Sequence, residues 1–174
     1  MVDRSNDPSA VEEFLALEAA GWKGRQGTAL LSRKEDAEFF RAACRGLVAS
    51  GRLRFLALTG SRTVAMQCNL IANGVIFGFK TCYDEELARH SPGVLLLLEV
   101  LASISLTGAV RLDSCAEPGN ELVNRLLPDR RPLETLIVGS PDSLGQASAT
   151  LLRIAQAVRH WSRHVFWAPA RIPE

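Results

Sequence analysis

The chain has 174 residues, 47% of them hydrophobic, and its 20 lysines and arginines nearly balance 19 aspartates and glutamates. This length and composition predict one folded globular domain with a substantial core and exclude a disordered chain. Because the formal net charge is only +1, no overall field attracts DNA or an anionic membrane, and either partner would need a local basic patch.

Neither the start of the chain nor its most apolar stretch has the pattern of a membrane segment. The first ten residues, MVDRSNDPSA, lack the apolar run of a signal peptide. The longest apolar stretch is interrupted by Glu99, Ser103 and Ser105 before it reaches the ~20 residues that span a bilayer. We therefore expect no transmembrane segment and a cytoplasmic location.

The cysteines predict buried thiols rather than a metal site. They lie in apolar surroundings and have no C-x-x-C spacing, so zinc ligation or a disulfide pair is not indicated. We expect free thiols in the core and no metal. The residues are Cys44, Cys68, Cys82 and Cys115.

Two helices are predicted in the first third of the chain. The first begins at the Asp7-Pro8-Ser9 signal and ends near Gly21. The second opens with a capping box, Ser32-x-x-Glu35, and its apolar residues recur at helical spacing until Gly51.

The segment between these helices, residues 22–28, is a candidate substrate-binding loop. It brings together Trp22, Lys23 and Arg25 with two glycines and little apolar content. This composition suits contact with an anionic or planar ligand. The alternative is a solvated loop in which Trp22 packs on the core.

An antiparallel meander of three strands follows the second helix. The runs are rich in β-branched and aromatic residues, and Asn73-Gly74 is a strong signal for a type I′ hairpin between the last two. The predicted strands are 53–59, 63–72 and 75–83.

A polar stretch then leads into a leucine-rich helix. Ser91 is the predicted N-cap and Pro92 occupies the first helical position, where its missing N–H costs nothing. We therefore expect free amides at Gly93 and Val94, which with the helix dipole can bind phosphate or another anion.

A short strand, residues 109–113, is predicted after this helix and should lie parallel to strand 75–83 by the right-handed crossover rule. Because parallel strands have their carboxyl ends on one side, we expect Asp113, Tyr83 and the amides of residues 91–93 to converge on one crevice. Asp113 could instead cap the turn that precedes Pro118-Gly119.

The remaining chain is predicted to contain a short helix at 121–127, a last strand at 133–138 and a final amphipathic helix from about Gly145. The final helix would pack on the sheet or on another chain. Its basic, aromatic end, residues 159–174, is interpreted as a frayed terminus, and a nucleic-acid or membrane patch is the alternative.

Four short motifs in this order resemble the GNAT-type acetyltransferase domain of the CelD/BcsL-type proteins of bacterial cellulose and exopolysaccharide biosynthesis, which are relatives of the FemAB branch. The resemblance implies an α/β fold, a GNAT-like mixed sheet with an antiparallel meander, a β-α-β crossover and helices on both faces. The motifs are Trp22-Lys23-Gly24-Arg25-x-Gly27-Thr28, Lys80-x-x-Tyr83-Asp84-Glu85, Ser91-Pro92-Gly93-x-Leu95-Leu96 and Asp113-x-Cys115-Ala116.

The resemblance also implies an acyl-CoA donor, normally acetyl-CoA, whose pyrophosphate binds the backbone of the loop before the leucine-rich helix. His90, Ser91, Gly93 and Val94 occupy that loop here. The chain departs from the family pattern, because His90 and Leu95 replace two of its motif residues and the helix at 121–127 has no tyrosine. An aminoacyl-tRNA donor of the FemAB kind is the alternative.

The predicted reaction moves an acyl group, most often acetyl, from the thioester to an amine or hydroxyl of a sugar or envelope precursor. Asp113 would accept the proton, and Lys80 and Tyr83 would position the substrate or leaving group. The predicted substrate contacts are Trp22, Lys23, Arg25 and Asp84. Lys80 and Asp84 could instead form a surface ion pair.

Residues 1–140 are the predicted GNAT-like domain, and 141–174 a helix and tail packed on it. Since the resemblance is to the C-terminal half of proteins with two such domains, a second domain or a homodimer is an expected partner. A non-catalytic module that binds a partner protein is the rival function. No DNA partner is expected, and tRNA enters only with the alternative donor.

Overall fold

The computed structural model describes residues 1–104, 108–134 and 136–166, with the backbone alone for residues 158–166. Contacts divide the chain into two compact units, Met1–Leu127 and Pro128–Glu174. We call them the N-terminal unit and the C-terminal unit.

The N-terminal unit contains a five-stranded sheet in the order β1-β2-β3-β4-β5. Every neighbouring pair is antiparallel except β4 and β5, which are parallel and joined by a helical crossover. This is the predicted mixed sheet. The strands are β1 Val2–Asp3, β2 Leu53–Thr59, β3 Thr63–Ala72, β4 Val75–Tyr83 and β5 Arg111–Asp113.

Five helices accompany this sheet. Most match the predicted positions, although Trp22–Arg25 forms a short helix where a loop was expected. Residues 105–107, which include the predicted end of the leucine-rich helix, lie outside the described residues. The helices are α1 Ala10–Ala20, α2 Trp22–Arg25, α3 Lys34–Ala49, α4 Pro92–Ser103 and α5 Glu121–Leu126.

Alternate strand residues point to opposite sides of the sheet, and helices cover both sides. Phe55 and Met66 pack with Phe14 of α1 and Phe40 of α3 on one face. On the other face, Leu56 and Ala65 pack with Leu96 and Val100 of α4. We call these the α1/α3 face and the α4 face.

The meander has the predicted strand ends, and its hairpin has the predicted turn. Asn73 has φ 50° and Gly74 has φ 72°, so both central residues have the positive φ of a type I′ turn. The two-residue strand β1 was not predicted. It is too short to show alternation, and it exists because Val2 and Asp3 pair with Ala57 and Leu56.

The predicted capping box is wrong. Ser32 closes a 3-10 turn, Leu30–Ser32, and helix α3 begins after Arg33, whose side chain makes no capping bond. The amide of Leu30 donates to Glu18 Oε2 at 2.9 Å, and this bond holds the turn in place. Phe39, one of the apolar residues that recur at helical spacing in α3, is 76% exposed.

Three cysteines are buried as expected, whereas Cys115 is exposed and its predicted burial is wrong. All four are free thiols. Among the described residues, no cluster of three or more His, Cys, Asp or Glu side chains could hold a metal ion. The expectation of no metal therefore stays a prediction.

The C-terminal unit contains helix α6, Ser143–Phe166, as predicted. The predicted strand at 133–138 is absent from residues 133, 134 and 136–138, which are irregular, and residue 135 lies outside the described residues. The end of the basic, aromatic tail, residues 167–174, also lies outside them. In the described part of the chain, no helix is long and apolar enough to cross a bilayer.

Candidate active site

The most distinctive feature of the sheet is the open edge of β4. Strand β5 pairs only with the first three residues of β4, and the last pair is Phe77 with Asp113. Beyond this pair, no described strand lies against the same edge. Residues 78–83 of β4 therefore present backbone groups to whatever enters between the two strands, except the carbonyl of Thr81, which accepts a bond from Lys23 Nζ at 3.1 Å.

A β-bulge lies where β4 and β5 separate. Cys68 of β3 pairs with Lys80 and the next residue, Asn69, pairs with Gly78, so Phe79 has no partner residue in β3. An extra residue of this kind interrupts the ladder and redirects the backbone of its strand. Phe79 stacks on Phe40 of α3, with ring centroids 6.2 Å apart, which fixes the bulge on the α1/α3 face.

The far end of the open edge meets the N-terminus of α4. A Cβ added to Gly93 would lie 3.4 Å from Cδ1 of Tyr83, so the two residues are in contact. The amide of Gly93 donates to no described group. It is the free helix amide that the sequence predicted.

Two details of this helix start differ from prediction. The hydroxyl of Ser91 makes no capping bond, because Ser91 adopts the left-handed conformation with φ 49°. Its carbonyl instead accepts from the amides of Val94, at 2.9 Å, and Leu95, at 3.1 Å. Val94 therefore has no free amide. The imidazole of His90 is exposed and accepts a bond from Arg89 Nε at 2.9 Å.

Asp113 does not converge with Tyr83 and residues 91–93, and this expectation is wrong. Asp113 pairs with Phe77, and Tyr83 lies six residues further along β4, about 20 Å away at ~3.3 Å per residue. Its carboxylate accepts from the amide of Cys115 at 3.0 Å, which gives it the turn role considered as the alternative. Its strand partner Phe77 lies two residues before Phe79, the bulge residue of β4.

A buried carboxylate, Glu18, organises the α1/α3 face beside β4. Its side chain is fully buried, and Oε1 accepts from Lys80 Nζ at 2.7 Å and Lys23 Nζ at 3.3 Å. Lys23 also donates to the carbonyl of Thr81 at 3.1 Å. The two predicted lysines thus meet at Glu18, a residue for which no role was predicted.

Burial raises the pKa of Glu18, but the bond from the Leu30 amide and the bond and charges of the two lysines outweigh it, so this pKa lies below its ordinary value. Glu18 is therefore ionised at neutral pH.

Lys80 has its partner on the α1/α3 face, whereas Tyr83 packs on the α4 face. The two side chains therefore lie on opposite faces of the sheet.

The predicted ion pair of Lys80 with Asp84 does not form. Asp84 pairs with Arg62 and accepts from the amide of Glu86 at 3.0 Å, which caps a 3-10 turn, Glu85–His90. The structure gives Asp84 a turn-stabilising position.

Glu85 fastens α2 to the end of β4. Its carboxylate accepts from the amide of Trp22 and from Arg25 Nη2, both at 2.5 Å. Lys23 and Arg25 therefore each have an ion-pair partner within the protein, although the Arg25 side chain remains 64% exposed. The motif lies beside the end of β4, and its tryptophan is 44% exposed.

The thiol beside this site is not a nucleophile. Cys82 lies on the α1/α3 face, where burial raises its pKa to about 12. A cavity of about 20 Å³ next to it, between Trp22 and Tyr83, is too small for a substrate. A larger cavity of about 440 Å³ lies between α1 and α3 near Cys44 and Phe55, away from the open edge.

A family model for the acetyltransferase (GNAT) domain matches residues 2–121. The chain belongs to the GNAT acetyltransferase family. From α3 to α5 it has the order of strands and helices expected from the sequence, with the open edge between β4 and β5 at its centre. No curated protein matches it.

The solved structures with the same fold match this chain over nearly all of their own length. An aminoglycoside acetyltransferase from an uncultured soil metagenomic sample has a TM-score of 0.54 and 16% identity over 80% of this chain and 100% of its own. The 6′-N-acetyltransferase AAC(6')-IG from Acinetobacter haemolyticus has a TM-score of 0.53 and 13% identity, covering 82% and 100%.

A third similar structure was solved with a ligand. AAC(6')-Iy, in complex with the bisubstrate analogue CoA-S-monomethyl-acetylneamine, has a TM-score of 0.51 and 12% identity over 77% of this chain and 93% of its own. At these identities the likeness establishes the fold.

Proposed function

We propose that this GNAT enzyme transfers an acyl group, acetyl or a larger one, from acyl-CoA to an amine or hydroxyl of a saccharide. The observation that supports this most directly is the open edge of β4, which runs from the bulge at Phe79 to the free amide of Gly93. An extended donor with peptide-like groups can pair with such an edge as an added strand.

The phosphates of the donor would lie at the N-terminus of α4. The free Gly93 amide and the positive end of the helix dipole favour an anion there. Tyr83 packs against Gly93 and would line the same end. His90 and Ser91 lie on the approach, and the bonded amide of Val94 is not part of this site.

The thioester would lie at the bulge, where a backbone amide can polarise its carbonyl. Asp113, whose strand partner Phe77 lies two residues before the bulge residue Phe79, would accept the proton of the attacking amine or hydroxyl. The new C–N or C–O bond forms as the C–S bond breaks. Because Tyr83 lies ~13 Å from Phe79 along the strand, water rather than Tyr83 would protonate the thiolate.

The acceptor would approach from the α1/α3 face. Trp22, whose exposed ring suits an apolar sugar face, is bonded to Glu85 at the other end of β4, ~20 Å from Phe79 along the chain, so it would contact a part of an extended acceptor far from the reacting group. Lys80 and Lys23, which both pair with Glu18, would hold the α1/α3 side of the site in position. A saccharide acceptor rests on the resemblance to exopolysaccharide enzymes and on structural neighbours that act on aminoglycosides. The membership of the CelD/BcsL-type group is part of this proposal.

Isothermal calorimetry with acetyl-CoA tests the donor site. Gly93→Glu places a carboxylate where the phosphates would bind, and we expect it to weaken binding by about tenfold or more, ~1.4 kcal/mol. Gly46→Glu on α3 is the matched control, because a side chain at Gly46 meets nothing within 4 Å. It should bind as the wild type does.

Two results would contradict the donor site: no saturable binding of acetyl-CoA by the wild type, or equal binding by Gly93→Glu. Absent binding together with a stable complex with a polysaccharide-synthesis protein would favour the non-catalytic module. Binding of aminoacyl-tRNA but not of acetyl-CoA would favour the FemAB-type donor.

A further inference from the structure

Two carboxamides near the bulge carry buried polar atoms without partners. Gln67 is 4% exposed and Asn69 is fully buried. The unpaired atoms are Gln67 Oε1, Asn69 Oδ1 and Asn69 Nδ2. Each buried, unpaired polar atom costs about 1–3 kcal/mol, so three together in one place call for a partner that the folded chain does not supply.

Both side chains lie on the α4 face of β3. They alternate with Met66 and Cys68, which point into the core of the α1/α3 face. Across the ladder, Gln67 pairs with Thr81 and Asn69 with Gly78. The carboxamides therefore lie in β3, the strand paired with β4, and Asn69 is at the level of Gly78, where the open edge of β4 begins.

Gly78 leaves these carboxamides close to the opening between β4 and β5. A Cβ at this position would lie 3.3 Å from Gln67 Nε2 and 3.3 Å from the carbonyl oxygen of Ser114, which follows β5. No side chain thus stands between the Gln67 amide and the point where the strands separate. A ligand that passes the bulge would reach Gly78 first and the two carboxamides next.

The direction of the donor decides which of its groups arrives there, and this step rests on the proposed function. With phosphates at Gly93 and the thioester at Phe79, the acyl chain continues toward Gly78. The acyl group, not the pantetheine arm, is then the part that meets Asn69 and Gln67.

We propose that Asn69 and Gln67 bind a hydroxyl group on the acyl chain, so that the enzyme prefers hydroxyacyl thioesters to their methyl isosteres. A hydroxyl donates one bond and accepts others, so it can pair with one of the two free carbonyl oxygens and with the free amide nitrogen. Neutral carboxamides suit this neutral group better than an ammonium, whose burial costs far more. A methyl in the same place leaves all three atoms unpaired.

The test compares lactoyl-CoA with isobutyryl-CoA, which differ by a hydroxyl in place of a methyl, in calorimetric titrations of the full chain. We expect the wild type to bind lactoyl-CoA about tenfold or more tightly than isobutyryl-CoA. Asn69→Leu and Gln67→Met remove the polar atoms at similar volume, and each should bring the ratio close to one. Met66→Leu, on the same strand but facing the other core, should keep it.

The outcomes distinguish a failure of this proposal from a failure of the proposed function on which it rests. If acetyl-CoA binds but the wild-type ratio is near one, or if the ratio survives in both variants, the carboxamides hold no acyl hydroxyl and the proposal is overturned. If no CoA ester binds, the donor site itself fails. Should Asn69→Leu not fold, Gln67→Met gives the same ratio independently.

Discussion

Glu18 is the single residue on which most of the site geometry depends. It joins α1 to β4 through Lys80, to α2 through Lys23 and to the following turn through the amide of Leu30. Removing one member of a buried ion pair leaves its partners uncompensated, which costs more than the pair itself contributes.

Replacing Glu18 by alanine should therefore destabilise the fold by about 3–5 kcal/mol. Glu12→Ala is the matched control on the same helix, since Glu12 is 58% exposed and pairs with Arg41 at the surface. Its loss should be about 0–1 kcal/mol. Urea unfolding measures both values, and equal losses would contradict a central position for Glu18.

Stability should fall in acid because several carboxylates have depressed pKa values. Bonds from Ser9 and Arg4 lower the pKa of Asp7 to about 2, and Glu18 is also lowered. A carboxyl whose folded pKa lies below its unfolded value contributes fully above the unfolded value, near 4, and loses that contribution as the pH falls through the folded value.

We thus expect the urea midpoint to change little between about pH 7 and 5 and to fall from about pH 4.5 toward 2. Glu18→Gln should show a smaller fall than the wild type over this range. Midpoints that stay level or rise between pH 5 and 2 would mean that these carboxylates are not stabilised by folding.

At this scale the sequence identified residue types better than partners. Trp22, Lys23, Tyr83 and Gly93 lie at one end of β4, although only Tyr83 and Gly93 were expected to lie together. Glu18 was missed, although it lies four residues after Phe14 on the buried side of α1, where a charged residue needs a partner. That pattern was a usable signal.

Among the elements, the corner between α1 and α2 determines where Trp22, a candidate substrate contact, lies. A Cβ on Gly24 would lie 1.8 Å from the carbonyl oxygen of Ala19, so this corner accepts only glycine without moving. The bonds of Glu85 to Trp22 and Arg25 depend on the same close approach.

Gly24→Ala should destabilise the protein by more than about 1 kcal/mol, because the backbone of α1 or α2 must shift. Gly46→Ala, in the open middle of α3, should instead stabilise it by about 0.5–1 kcal/mol. Thermal unfolding of the two variants gives the comparison. A stabilised Gly24→Ala would mean that the corner has room.

The strands were predictable from local patterns, but their pairings were not. Alternation and Asn73-Gly74 fix the ends of β3 and β4 within a few neighbouring residues. The bulge at Phe79 and the pairing of Asp113 with Phe77 depend on how distant strands meet, and no local pattern records that register. The expected convergence of Asp113 with Tyr83 failed for this reason.

For the molecule as a whole, the N-terminal unit contains the complete sheet, both buried cores and every residue of the candidate site. The family match, residues 2–121, lies inside it. Neither core cluster includes a residue beyond 127.

A chain of residues 1–127 should therefore fold on its own and bind acetyl-CoA with the affinity of the full chain. Circular dichroism and cooperative urea unfolding would establish folding, and calorimetry would compare binding. An unfolded fragment would show that the C-terminal unit completes the domain, as the predicted boundary at residue 140 implies.

Binding of the donor along the open edge of β4 is the step on which the proposed function depends. Backbone amide NMR of the protein titrated with CoA tests it residue by residue. We expect shifts and slowed exchange at residues 79–83 and at Gly93, with β2 unchanged. Saturable binding that leaves the amides of residues 79–83 and Gly93 unperturbed would contradict it.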